Sequence, residues 1–469
     1  MKLYERYAAE IAELIRTQVL RPGERLPSVR QARLARRISP ATVFEAYYLL
    51  EARGLIHARP RSGYYVNPSV TPPTAEPGMA APGGQSTEVA ISDLVFEVLG
   101  ATRQPQLIQL GSAFPSPTLF PLHKLARGLT SSLQQLPPQR LTEDLTIGDE
   151  ALRRHISLRY AGQGLAVDAQ ELVITNGAME ALNLCLQAVT RAGDVVAVES
   201  PTFYAALQAL ERLNLRAVEV ATHPRHGVDV DSLAQVLRQH TVRACWFMPN
   251  FQNPLGSLMP DAHKQALVAL LAQHQIPLIE DDVYGELYFG LRRPLPAKAY
   301  DTQGLVLHCS SFSKSLAPGY RVGWVAAGRY AQQVQRLKLM TTLSTAIPSQ
   351  LAVTQMLHGT GFDRHLRGMR TQLAAQQALA LQLIAQHFPA GTRVTHPEGG
   401  YFVWVELPAS IDALRLHRLA LVQGISLAPG HLFSADRRFA HHLRLNYGHP
   451  SPEDLQRALP VLGGLMRAG

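Results

Sequence analysis

Apolar residues at Tyr4, Tyr7, Ile11, Leu14, Ile15 and Val19 recur at helical spacing and predict a first helix, ended by Arg21-Pro22-Gly23. A second short helix is expected from about Pro27, through Val29, Ala32 and Leu34, to Arg37. Ser39 can cap a third helix by accepting a backbone N–H, and Pro40 suits its first position, where no donor is needed. Val43, Ala46, Tyr47 and Leu50 then form one buried stripe, with Ala41, Thr42 and Glu45 facing away. Two apolar runs, Leu55–Ala58 and Tyr64–Val66, flank Arg59-Pro60-Arg61-Ser62-Gly63 and predict a hairpin with a basic tip. Two short helices around a tight turn, followed by such a hairpin, read as a helix-turn-helix with a wing. Its third helix suits a major groove, and the wing offers guanidinium groups to phosphates or a minor groove.

The period disappears over residues 68–90, where Pro and Gly crowd and charge is sparse, so this stretch reads as a linker between units 1–67 and 91–469. Beyond Ile91 short apolar runs alternate with amphipathic stretches. Strand candidates are Glu171–Thr175, Val195–Val198, Ala244–Met248, Ile276–Ile279 and Leu305–His308. The pattern predicts an α/β fold, a mostly parallel sheet between helices, whose ligands sit at the carboxyl ends of the strands. Polar residues do follow the apolar runs: Asn176-Gly177-Ala178-Met179, Asn253-Pro254-Leu255-Gly256, Glu280-Asp281-Asp282-Val283-Tyr284, and Ser310-Ser311-Phe312-Ser313-Lys314 with Arg321 beyond. Gly177 at a helix start lets the backbone come close to an anion.

Composition narrows the classes. With 469 residues, 46% hydrophobic and 17% charged, the chain buries a large core and is not disordered throughout. Cys185, Cys245 and Cys309 are too few and too widely spaced for a disulfide scaffold, and they suit a reducing compartment. Glu5, Glu10 and Glu13 exclude a signal-peptide core, and no apolar stretch of about 18 residues is present, so a soluble cytoplasmic protein with no membrane partner is expected. Residues 1–70 hold 12 Lys/Arg against 6 acids, which is +6 of the total +9. A basic module beside a nearly neutral body suits a polyanion partner. No metal site is read.

The stretch from Leu20 to Val66, with Leu26-Pro-Ser-Val-Arg30, Thr42-Val43…Ala46-Tyr47 and Gly54-Leu-Ile…Ser62-Gly63…Val66, resembles the GntR-type winged helix. The resemblance implies a double-stranded DNA partner, with Arg30, Ser39, Thr42, Arg59 and Arg61 as contacts. It departs at Pro40, where the family often has Arg, so one phosphate or base contact is either missing or supplied by Arg36 or Arg37. Residues 91–469 resemble the fold type I, class I aminotransferases that use pyridoxal 5'-phosphate, and the fusion as a whole resembles the MocR regulators. That resemblance implies a cofactor held covalently as an aldimine on Lys314, with Asp281 at the pyridine nitrogen and Asp282 as the alternative. It further implies Asn253 and Tyr284 at the ring oxygen, Phe203 stacked on the ring, and Ser311, Arg321 and the N–H groups of Ala178 and Met179 on the phosphate. Arg444 would grip an α-carboxylate. A second departure is Glu143, where the family carries a tyrosine that reaches a partner subunit's phosphate. A homodimer, head-to-tail with exchanged winged helices, is implied as well. The expected function is a regulator that senses an amino compound or the cofactor itself. A 2-aminoadipate or aromatic aminotransferase with an accessory DNA-binding domain is the alternative, and residual transamination is compatible with either.

Overall fold

A computed structural model describes residues 3–17, 19–21, 23–52, 55–59, 62–67, 74–101, 104, 106–134, 136–141 and 146–468. Arg61 and Glu143 lie outside the described residues.

The amino-terminal unit is three helices, α1 (Leu3–Arg16), α2 (Val29–Arg36) and α3 (Pro40–Ala52), and a hairpin of β1 (Ile56–Arg59) and β2 (Gly63–Val66). Helix α2 starts at a reciprocal cap: Ser28 Oγ accepts from the Gln31 N–H at 3.2 Å, and Gln31 Oε1 accepts from the Ser28 N–H at 2.8 Å. The expected stripe of Val43, Ala46, Tyr47 and Leu50 is buried against Ile11, Ile15, Ile56 and Val66. Tyr47 ties the unit together. Its hydroxyl donates to the Pro27 carbonyl at 2.6 Å, and its ring meets Tyr7 and Tyr64. Two expected core positions turn outward: α1 ends at Arg16, leaving Val19 65% exposed, and Leu34 on α2 is 69% exposed. Helical periodicity at the end of a short helix does not say which side the core lies on.

Among the described residues the large body is built on a nine-stranded sheet. Strands Arg216–His223, Val195–Ser200, Val242–Phe247, Leu278–Asp281 and Val306–Ser311 run parallel in that spatial order. Gly323–Ala326 then pairs antiparallel with Val306–Ser311, and Leu172–Thr175 antiparallel with Gly323–Ala326. Leu172–Thr175 therefore runs with the majority, and one strand of the central seven is reversed. Helices such as Ala178–Val189 and Asp261–His274 cover the two faces, as near-continuous apolar strands require. A separate antiparallel sheet, Arg393–Val394, Phe402–Glu406, His442–Asn446 and Ala428–Pro429, carries the carboxyl-terminal chemistry.

The second half of the expected linker is laid along this body. Thr87 and Glu88 pair with Ala217 and Arg216, the Ala75 carbonyl accepts from the Val394 N–H at 2.9 Å, and Val89 and Ile91 are buried. A Pro-rich strap needs few backbone partners, so composition alone does not distinguish it from a free linker.

Candidate functional site

Parallel strands deliver their carboxyl ends to one edge: Thr175, Ser200, Phe247, Asp281 and Ser311 all finish there. The reversed strand starts at the same edge, which brings Arg321, two residues ahead of it, to the others. Lys314 follows Ser311 and is partly buried; its Nζ donates to the Ala113 carbonyl at 2.8 Å and lies 3.6 Å from the centroid of the Phe114 ring. Burial, with Arg444 and Arg321 nearby, brings its ammonium down to about 7, so a neutral amine is available near neutrality.

Asp281 ends strand Leu278–Asp281 and Asp282 follows in extended backbone, its N–H donating to the Cys309 carbonyl at 2.9 Å, so the two adjacent side chains point to opposite sides. Asp282 is fully engaged, accepting from Arg293 at 2.5 Å, Asn250 at 3.0 Å and His308 at 3.1 Å. Burial alone would raise its carboxyl, but Arg293 and His308 outweigh it and hold the group well below the usual range. Asp281, on the Lys314 side, is 1% exposed, and its Oδ1 has no hydrogen-bond partner. Burial and the neighbouring Asp282 charge raise it to about 7.

Two further side chains are fully buried at this edge with an unused nitrogen, Asn253 at Nδ2 and Arg444 at Nε. Arg444 comes from strand His442–Asn446. It donates to Asn253 Oδ1 at 3.1 Å and to the Gly111 carbonyl at 2.7 Å, and lies between the rings of Phe402, Phe433 and Tyr204. Tyr284 is buried edge-on to Tyr401 and Phe402, its hydroxyl pushed up by burial. Phe203 stands at the start of helix Tyr204–Arg212, its ring centroid 4.9 Å from that of Tyr204.

Beside these groups lies a cradle for an anion. Helix Ala178–Val189 has no side-chain cap, because its N-cap is Gly177, so the N–H groups of Ala178 and Met179 are available at its positive end. Arg321 crosses Gly177 to donate to the Asn176 carbonyl at 3.1 Å and to Ser313 Oγ at 3.3 Å. A Cβ on Gly177 would stand 2.3 Å from the Arg321 guanidinium, and φ is +83° there. Gly323 passes against the Gly177 backbone, with 2.6 Å for a Cβ. Ser311 is buried at its strand end and accepts from the Ser313 N–H at 3.3 Å.

On the winged helix, Arg30 and Arg59 are exposed. Arg59 lies 4.3 Å above the Tyr65 ring, and its Nε donates to His57 at 3.3 Å, so the guanidinium is held on the wing. Ser39 accepts from the Thr42 N–H at 3.1 Å, and the two hydroxyls share a hydrogen bond of 2.8 Å, capping α3. Of the two substitutes expected for the missing arginine, Arg36 pairs with Glu10 at 3.1 Å, while Arg37 closes α2 in the left-handed region at φ 52° and stays exposed.

Residues 3–66 match the family model of bacterial regulatory proteins, gntR family, and residues 127–462 match aminotransferase class I and II. Similar in sequence over the whole chain are two Escherichia coli proteins described as uncharacterized HTH-type transcriptional regulators. YdcR is 46% identical, covering 100% of this chain and 99% of its own, and YjiR is 36% identical, covering 99% and 98%. A solved Pyrococcus horikoshii kynurenine aminotransferase matches at 28% identity and TM-score 0.75, over 80% of this chain and 94% of its own. The chain belongs to the MocR-type regulators. This regulator joins a GntR winged helix to a class I aminotransferase fold, and its cofactor is pyridoxal 5'-phosphate.

The residues of this MocR-type protein fit that cofactor. Asp281 Oδ1 lacks a donor, Asn253 Nδ2 lacks an acceptor, the Gly177 cradle offers N–H groups to an anion, and all three lie around a lysine with a depressed ammonium. Sequence reasoning missed the segment Gly111–Phe114, which covers Lys314, and Tyr401, whose hydroxyl donates to the Ala113 carbonyl at 3.0 Å. It also missed Ser313, and it missed Glu199, which accepts from the Met248 N–H at 3.2 Å and from Gln252 at 3.3 Å and steadies the loop carrying Asn253. Gly399-Gly400-Tyr401 before an apolar strand was the one local signal available, since the rest depends on distant segments meeting.

Proposed function

We propose that this protein is a ligand-responsive transcriptional regulator, acting in the cytoplasm as a homodimer. Its cleft holds pyridoxal phosphate and an amino compound, and its winged helices grip two half-sites of duplex DNA. The observation that carries the reading is the set of buried, unpartnered polar atoms gathered beside Lys314 in the same chain as a GntR winged helix. When bound, the cofactor supplies an electron sink and an aldehyde that reacts with amines. Lys314 contributes the amine that takes up the cofactor, and Asp281 keeps the ring nitrogen protonated. Asn253 and Tyr284 address the ring oxygen, and Phe203 supports the ring face. Ser311, Arg321 and the Ala178 and Met179 N–H groups hold the phosphate. Arg444 offers its planar fork to the carboxylate of an incoming amino compound.

Lys314 donates to the Ala113 carbonyl beside Phe114, so a ligand that altered the position of this side chain would act on the 111–115 segment as well. The test is a spectral titration of the purified protein with candidate amino acids and amines, followed by DNA-binding assays with each responder. A responder that shifts the spectrum and changes DNA affinity is expected; spectral responders that all leave DNA binding untouched would overturn the sensing role. The retained Arg444 and the low ammonium of Lys314 favour a second reading, aminotransferase activity. Turnover of an amino-acid panel with 2-oxoglutarate at the pace of dedicated enzymes would make it the main one.

A further inference from the structure

Helix α3 carries no basic side chain, and between Pro40 and Ala52 its outward positions are Ala41, Phe44, Glu45 and Tyr48. These four lie at helical spacing, opposite the buried Val43, Ala46, Tyr47 and Leu50. Phe44 is 53% exposed, an unusual position for a phenyl ring on a small module. The flanking surface is basic: Arg30, Arg33, Arg37 and Arg59 are all exposed, while Glu45 on the helix itself would repel a phosphate. Tyr48, one turn further, lines a cavity of about 510 Å³ with Tyr288 and Arg370 of the large body, so the first turns of α3 are the part left open.

This charge pattern puts phosphates at the rim and base edges under the helix. In the major groove an apolar side chain has one specific partner, the C5-methyl of thymine, and a carboxylate accepts from an exocyclic amino group such as that of cytosine. We propose that α3 reads thymine methyl groups through Phe44 and Ala41, in place of the arginine–guanine contacts that a basic recognition helix makes. The inference rests on the DNA-binding reading above and adds to it the bases recognised. It also gives Pro40 a consequence: without an arginine there, hydrogen-bonded readout at the start of α3 is replaced by methyl contacts.

The test uses the full-length protein to select duplexes from a random pool at fixed salt. Each thymine of the selected half-site is then replaced singly by uracil, which removes only the methyl. One or two replacements should weaken binding roughly tenfold, on the scale of one mismatched base pair. Phe44→Ala should remove that uracil sensitivity while keeping the salt dependence carried by the arginines, and Phe44→Leu should keep it. If a protein that still prefers its selected sequence tolerates uracil at every position, or if Phe44→Ala retains the sensitivity, the methyl readout is wrong and the DNA reading stands. If the exposed Phe44 instead contacts a protein, Phe44→Ala leaves DNA binding unchanged, which again overturns the proposal. If the pool yields no preferred sequence, the regulator reading falls too. Should Phe44→Ala fail to fold, the uracil scan of the unmodified protein decides alone.

Discussion

Around Lys314 the polar groups that lack partners are buried: Asp281 Oδ1, Asn253 Nδ2 and Arg444 Nε are out of reach of solvent. On the winged helix the functional candidates stand in water, with Arg30 and Arg59 exposed and the Ser39 and Thr42 hydroxyls satisfied by each other. An unpaired buried polar group costs about 1–3 kcal/mol, so a fold keeps three of them together only where something else supplies the missing bonds. A solvated guanidinium costs nothing while unbound and binds through counterion release. The cleft is thus shaped for one ligand of fixed geometry, and the winged helix for a partner whose affinity salt can tune.

The contrast breaks most completely at Lys314. Lys314→Ala removes the only amine that, among the described residues, is placed beside those unpartnered atoms, and borohydride should then fix no cofactor to the chain. Folding and DNA binding without effector should be retained, because the side chain makes one hydrogen bond and one ring contact. Recovery of a fixed cofactor on another peptide would move the assignment.

Gly177→Ala comes next. Its Cβ would meet the Arg321 guanidinium at 2.3 Å, and the φ of +83° is unfavourable for alanine in any case. Displacing one charge-assisted contact costs about 1.5–3 kcal/mol, roughly ten- to a hundredfold in the Kd for pyridoxal phosphate. Equilibrium dialysis measures it. Unchanged affinity would place the phosphate elsewhere.

Arg30→Ala combined with Arg59→Ala probes the other region. The expected loss is smaller at low salt and shows chiefly as a flatter salt dependence, with the slope of log K against log salt falling by about 0.9 for each lost phosphate contact. Cofactor absorbance should not change. An unaltered slope would mean that these two arginines remain hydrated in the complex.

The two regions also differed in how much could be read from sequence. Lys314, Asp281 and Asn253 each follow an apolar strand at the expected edge, so period placed them there, and the family resemblance joined them with Arg321 in one site. The reversal of Gly323–Ala326, which delivers Arg321, was not foreseen, because a four-residue apolar run carries no sign of its direction. Phe114, beside Lys314, and Tyr401, which shares the Ala113 carbonyl with it, escaped because they come from segments far away in sequence. On the winged helix the burial of α3 was legible residue by residue. The fate of Arg36 was not, since an ion pair with Glu10 depends on how α1 packs against α2.

The mildest change concerns pH. With the Lys314 ammonium brought down to about 7, capture of pyridoxal phosphate by the apoprotein should rise roughly tenfold per pH unit below neutrality and flatten above about pH 8. Asp281, raised to about 7, ionises over the same range and attracts the cationic ring, so the two groups act in one direction. A lysine at its ordinary 10.5 would give a rate still climbing at pH 10. Stopped-flow absorbance separates the two profiles. Arg444→Met refines the cause: burial is the larger influence on Lys314 and the guanidinium the next, so the midpoint should move upward by much less than the distance back to 10.5. A midpoint that returned all the way would make charge, not burial, the source of the reactive amine. The cleft would then share with the winged helix a dependence on salt that its depth otherwise denies it.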